Sequence, residues 1–184
     1  MPETLKLDRS HSVIGFTAKH FMVTTVRGQF QDFDATIEVE GTDHTTLKAE
    51  AVIKTASVKT NTDQRDDHLR SADFFDADKY PDMKFVSTGV EKKADDTYVL
   101  KGDLTIKDVT RPVALDAILE GTYNDPYGNE RIGITLRGQI NRKDWGLTWN
   151  QLYEAGAMMV SEKINLELEL AVLRPLAVPA AASA

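Results

Sequence analysis

Strict alternation of apolar and polar residues restricts this chain more than any other feature of its sequence. In Leu100-Lys101-Gly102-Asp103-Leu104-Thr105-Ile106 the apolar or small residues take every second position. Ile134, Leu136, Gly138 and Ile140 repeat the pattern, as do Ile164, Leu166, Leu168 and Leu170. The positions between them carry Lys, Asp, Thr, Arg, Gln, Asn and Glu. A period of two puts alternate side chains on opposite faces of a β-strand. One buried face and one wet face favour antiparallel pairing. Weaker runs of the same kind predict strands near 4–8, 12–21, 26–40, 46–58, 83–93, 97–108, 112–124, 130–142 and 161–173. Turn signals at Asp95-Asp96 and in Asn124-Asp125-Pro126-Tyr127-Gly128 separate neighbours. Within 26–40 the parity slips: Gly28 and Phe30 share one register, while Phe33, Ala35, Ile37 and Val39 share the other. That slip predicts a β-bulge near Gln31–Asp32.

One stretch breaks the alternation. Residues 61–75, NTDQRDDHLRSADFF, are rich in charge and open with the helix-start residues Asn61, Thr62 and Asp63. They predict one short helix near residues 62–75. After Leu173 the sequence RPLAVPAAASA, with two prolines, reads as a floppy extension over 174–184. There are no internal repeats, so residues 1–173 read as a single domain. Many wet-faced strands with one helix fit a sandwich or a closed barrel, and closure removes exposed sheet edges. A barrel of about eight strands is just wide enough to hold one small ligand.

Composition narrows the function. The chain of 184 residues has no cysteine, which excludes disulfides, thiolate metal sites and a thiol nucleophile. Its net charge of −7 argues against nucleic acid as a partner, because such binders need a basic excess to displace counterions. The same charge repels anionic membrane surfaces on average. No run approaches the ~20 apolar residues of a membrane span, so stable membrane insertion is not expected. The start MPETLKLDRS lacks a basic region followed by an apolar one, which predicts a cytoplasmic protein, or a periplasmic one if a signal was removed.

Several residues are candidates for a site. Gly102, Gly121 and Gly138 fall in the register of inward apolar residues. They either leave room for a ligand or mark a bend or barrel corner. His20 ends the apolar stripe of Ile14, Phe16 and Ala18, and is either a hydrogen-bonding group for a ligand head or a satisfied core histidine. The densest polar cluster is Arg65-Asp66-Asp67-His68-Leu69-Arg70. On a helix Arg65, His68 and Ala72 share a face, and Asp66 reaches Arg70 at i, i+4. Arg65 and His68 are suited to an anionic or carbonyl head group. By pattern alone, a solvated helix with local ion pairs explains the cluster better. The four histidines lack metal-ligand spacing, and no nucleophile elbow or phosphate loop is present, so neither a metal nor a cofactor is expected.

The order and spacing of several motifs then identify a resemblance. Asp8-Arg9-Ser10-His11-Ser12, Phe16, His20 and Val26-Arg27-Gly28-x-Phe30 open the match. Ser57-Val58-Lys59-Thr60, Arg65-Asp66-x-His68-Leu69 and Asp73-Phe74-Phe75-Asp76 are its most specific stretch. Tyr80-Pro81, Phe85-x-Ser87, Gly102-x-Leu104-Thr105-Ile106, Val109-Thr110 and Pro112-Val113 continue it, and Asn141-Arg142-x-Asp144-Trp145-Gly146-Leu147 follows. From about Leu7 to Leu170 the chain resembles the YceI-like family of lipocalin-like, polyisoprenoid-binding proteins. It departs from that pattern at Asp108, where glycine is frequent, and at Trp145, where phenylalanine is usual.

The resemblance implies an all-β, elongated antiparallel β-barrel with a lengthwise apolar pocket. The implied ligand is an isoprenoid-type amphiphile, a polyprenyl chain or an isoprenoid quinone. The implied role is carriage or storage rather than catalysis, and a homodimer fits it. The tail is expected among Phe16, Phe30, Leu104, Leu136, Leu166 and Leu168. The head group is expected near His20, Arg65, Asp66 and His68 with Trp145 nearby, and Phe74 and Phe75 close the mouth. The rival reading is an enzyme that acts on such a lipid with His20 or His68 as acid/base.

Overall fold

In the computed structural model, residues 1–152, 156 and 158–178 are described. The alternating runs become β1 (Glu3–Leu7), β2 (Val13–His20), β3 (Thr24–Phe30), β4 (Phe33–Glu40), β5 (Asp43–Lys54) and β6 (Val58–Lys59). They continue as β7 (Asp82–Ala94), β8 (Thr97–Ile106), β9 (Val109–Asn124), β10 (Asn129–Asn141) and β11 (Lys163–Pro175). The one α-helix among the described residues, α1, spans Asp63–Arg70, shorter than the expected 62–75. Its C-terminal end is set at Ser71, which leaves the helical region. Ser71 Oγ donates to the His68 carbonyl at 2.6 Å, and a run of turns follows.

The strands close in the order β1-β4-β5-β7-β8-β9-β10-β11, with β11 paired back to β1. This is an eight-stranded, closed antiparallel barrel. Segments β2, β3 and β6 add to it because three of the eight strands are broken. β1 and β2 both run along β11, with Leu7 opposite Val172 and Val13 opposite Glu169. β3 pairs with β2 as β4 pairs with β1, and β6 pairs with β3 as β5 pairs with β4.

The three breaks lie side by side. Arg9 Nη2 reaches Asp32 Oδ1 at 2.8 Å, and the Gln31 amide donates to the Ser57 carbonyl at 3.2 Å. The break between Phe30 and Phe33 is the irregularity expected at Gln31–Asp32, where a parity slip turns both phenylalanines inward. Asp8 holds the first break. Its side chain takes the Ser10 amide and hydroxyl at 3.1 and 2.6 Å, and Arg131 Nη1 at 2.6 Å. Arg131 also reaches Asp125 Oδ2 at 3.1 Å. The hydrogen bonds from Ser10 and Arg131 hold the Asp8 carboxyl far below the usual carboxylate range.

At its C-terminal end β11 runs through Arg174, which bridges Glu3 and Glu130 at 3.1 and 2.8 Å. The sequence had placed the extension from residue 174 onward. Residues 179–184 of that extension lie outside the described residues. Among the described residues, no helix is long and apolar enough to cross a membrane.

Candidate functional site

Inward parity on eight strands produces a barrel interior that the protein does not fill. A cavity of about 250 Å³ lies inside, and no polar atom faces it. Phe16, Phe30, Phe33, Phe74, Phe75 and Phe85 border this large chamber, six of the seven phenylalanines in the chain. Their rings brace one another: Phe30 lies 5.7 Å from Phe16 and 5.6 Å from Phe75, centroid to centroid. A second cavity of about 110 Å³ continues toward the opposite end, between Leu5, Val39, Leu47, Val90, Leu119 and Ile132. Ile37, Ala49, Leu100, Leu136 and Leu170 border both cavities and form a waist. Together the chambers reach the lower part of the range of small-molecule pockets, about 300–1,000 Å³.

Beside the small chamber the wall is less regular. β5 and β7 pair only over Glu50–Lys54 and Val86–Asp82. The Ala49 amide then donates to Ser87 Oγ at 2.8 Å, past the last paired residues. His44 and Tyr98 border the small chamber near this region, their rings edge to face at 5.8 Å.

The inward glycines do not leave room for a ligand at two of the three positions considered. A Cβ at Gly102 would lie 2.3 Å from the Phe85 ring, and one at Gly138 would lie 2.6 Å from Leu115 Cδ2. Each glycine makes space for a large neighbour on the adjacent strand, which corrects the ligand-space reading. Gly28 does the same for Phe16, whose ring lies 2.3 Å from its would-be Cβ. Gly121, at φ +146°, lies beside a bulge opposite Gly133 and borders neither chamber.

Eight of the expected ligand residues border the large chamber: Phe16, Phe30, Phe74, Phe75, Leu104, Leu136, Leu166 and Leu168. The expected head-group residues do not. Asp66 is 1% exposed and turned toward Thr60, whose amide and hydroxyl donate to Oδ1 at 2.8 and 2.6 Å. Arg65 also holds Thr60, from Nε to Oγ1 at 2.7 Å and from Nη2 to the carbonyl at 2.6 Å. Asp66 therefore does not pair with Arg70, because α1 packs that face onto the Thr60 turn. Arg70 pairs with Asp67 at 2.9 Å. His68 Nε2 bonds Asp73 Oδ2 at 2.8 Å, and its ring meets Phe74 and Trp149 at 5.1 and 4.5 Å. His20 ends β2, its ring 4.4 Å from that of Phe21. Trp145 is 2% exposed and donates from Nε1 to the Leu104 carbonyl at 2.9 Å. Among the described residues, no three His, Asp or Glu side chains are gathered for a metal ion.

Two residues at strand ends were missed from the sequence. Arg142 follows Ile134, Leu136, Gly138 and Ile140 in the inward register and borders the large chamber. Its guanidinium is buried and donates to the carbonyls of Ser161, Leu147 and Trp149 at 2.9, 2.7 and 2.8 Å. Burial pulls its pKa below the usual arginine value, partly offset by Glu162. These bonds tie Leu147, Trp149 and Ser161 to one end of the barrel. Tyr98 likewise precedes Leu100, Gly102 and Leu104 in register. Parity carried one step past each apolar run would have found both.

The fold has counterparts among known proteins. The model of the YceI-like domain matches residues 5–172. A UPF0312 protein of Staphylococcus aureus (strain MSSA476) is 36% identical over 161 residues, covering 87% of this chain and 91% of its own. The crystal structure of a Campylobacter jejuni YceI protein, 35% identical, superposes with a TM-score of 0.74 over 85% of this chain and 89% of its own. A polyisoprenoid binding domain from Saccharophagus degradans shares the fold at 17% identity and a TM-score of 0.64, over 93% of this chain and 98% of its own.

Proposed function

Because the chain belongs to the YceI-like domain family, we propose that it binds an isoprenoid-type amphiphile, a polyprenyl chain or an isoprenoid quinone, and carries or stores it inside the barrel. The observation that carries this reading is the phenylalanine-lined chamber with no polar atom facing it. Such a void offers water no partners and stays dry. At the ~24 cal/mol per Å³ that core cavities cost, leaving about 250 Å³ empty forgoes about 6 kcal/mol of packing. A hydrocarbon tail recovers that packing and buries its own surface at roughly 25 cal/mol per Å², less the cost of ordering it. Two chambers in line suit a long, narrow chain. The polyisoprenoid-binding neighbour supports the choice of ligand class. With an apolar wall, the head group stays outside the large chamber, beside His68, whose ring rests on Phe74 of the wall.

Binding without catalysis is the better reading of the histidines. His68 and Asp73 have the spacing of an acid/base pair, but neither borders a chamber, and neither does His20. Native mass spectrometry of gently purified protein tests the proposal. The expected spectrum contains a lipid-mass adduct, and added isoprenoid quinone or polyprenol is taken up. Bare protein that takes up neither overturns it. The His68→Ala variant is expected to bind more weakly and yield no product; a product that the parent forms and the variant does not assigns the site to an enzyme.

A further inference from the structure

The connection between β2 and β3 breaks a rule of hairpin turns. The Val23 amide donates to the His20 carbonyl at 3.1 Å, so Phe21 and Met22 are the central residues of a tight turn. Both have positive φ, 51° and 59°. That pair of values marks a type I′ turn, where Asn-Gly is the favoured sequence because bulky residues are strained in the left-handed region. Such strain persists where something other than stability selects the side chains. Here the result is an apolar tip: Met22 is 64% and Val23 80% exposed. Leu152, 69% exposed, belongs to the adjoining connection. Phe21, the one phenylalanine that borders neither chamber, is also at this turn.

The tip sits at the end of the large chamber. His20 bridges to Val160, and the Phe21 amide donates to the Met159 carbonyl at 3.0 Å. Val160 and Ala18 both border the chamber. The charge is also local. The hairpin from Val13 to Phe30 carries Lys19 and Arg27 and no acidic residue, in a chain of net charge −7. Lys19 is exposed, its Nζ bonded to Thr25 Oγ1. Among the described residues, Glu162 is paired with Lys143, and Glu167 lies 3.7 Å from Arg27.

The geometry points to a docking surface for an anionic phospholipid bilayer, with Met22 and Val23 entering the headgroup region and Lys19, next to the turn, facing the lipid phosphates. Apolar burial and attraction to anionic lipid are the two terms that hold a protein at a bilayer surface. The surface stands independently of which molecule fills the barrel.

Flotation of the full-length protein with vesicles tests it. One set is phosphatidylcholine alone and the other contains phosphatidylglycerol. The wild type is expected to float with the anionic vesicles and to be released by salt. Met22→Gly/Val23→Ser removes the apolar tip and gives a positive-φ position the residue suited to it, so its Tm is expected to hold or rise. Its vesicle association is expected to fall about tenfold or more. Lys19→Glu is expected to weaken association and flatten its salt dependence. Ligand binding measured on the same variants separates this proposal from the lipid-binding one, because the barrel interior is untouched. The docking proposal is overturned if the wild type stays out of the anionic vesicle fraction, or if the tip variant floats equally well. A wild-type dimer that the tip variant converts to monomer, without vesicle association in either, assigns the tip instead to contact between copies.

Discussion

The large and small chambers share a waist and several strands, yet they are finished differently. The large one is bordered by six phenylalanines, and its end is held by α1, the hydrogen bonds from Thr60 to Asp66, and the carbonyls gathered by the buried Arg142. The small one is lined mainly by aliphatic side chains with His44 and Tyr98, and its neighbouring wall is fastened by the ionic knot of Asp8, Arg131 and Asp125. Phenylalanine contributes broad, rigid rings to the wall of the large chamber. The difference teaches that the void is placed by side-chain shape, since backbone closure is common to both chambers.

Filling each chamber in turn tests this contrast. Ala51→Trp places an indole among the phenylalanines and is expected to weaken binding of isoprenoids of any length by about a hundredfold or more. Native mass spectrometry measures the loss, and circular dichroism checks the fold. Gly102→Leu forces Phe85 from its seat and is expected to cost about 2 kcal/mol of stability, seen as a lower denaturation midpoint. Unchanged stability there would mean that Phe85 has free space to move into. Ala117→Leu narrows the small chamber and is expected to reduce affinity about tenfold for long isoprenoids only. Equal losses for short and long ligands would erase the division between chambers.

The smallest effect concerns the ionic knot. The Asp8 carboxyl is depressed in the folded state by the hydrogen bonds of Ser10 and Arg131, so it binds fewer protons than in the unfolded chain. Its stabilisation is complete above its unfolded pKa of about 3.9 and is lost as pH falls toward the folded value. Asp8→Asn is expected to be less stable than wild type at neutral pH, with the gap closing in acid below about pH 4. Denaturation midpoints across that range measure it.

Much of the wall was legible in the sequence. Alternation in β8, β10 and β11 identified Leu104, Leu136, Leu166 and Leu168 as inward, and the parity slip located the break at Gln31–Asp32. The polar cluster was legible as a cluster but not as a geometry. Helical spacing offered Asp66 to Arg70, whereas packing of α1 on the Thr60 turn took it inward. Arg142 was hidden because an arginine after an apolar run resembles the polar end of a strand. Its burial depends on carbonyls that the chain presents only after it returns at Leu147, Trp149 and Ser161.

The sequence by itself determined which side chains face inward, because a period of two is a local property of an extended backbone. It also determined the antiparallel class and the strand on which each wall residue sits. Only the tertiary structure decided how much of the interior stays empty. Volume is set by which side chains meet across strands far apart in the chain, as Phe85 meets Gly102 and Leu115 meets Gly138. Parity specifies a direction for each side chain, and the size of a hollow depends on what the opposite wall puts there.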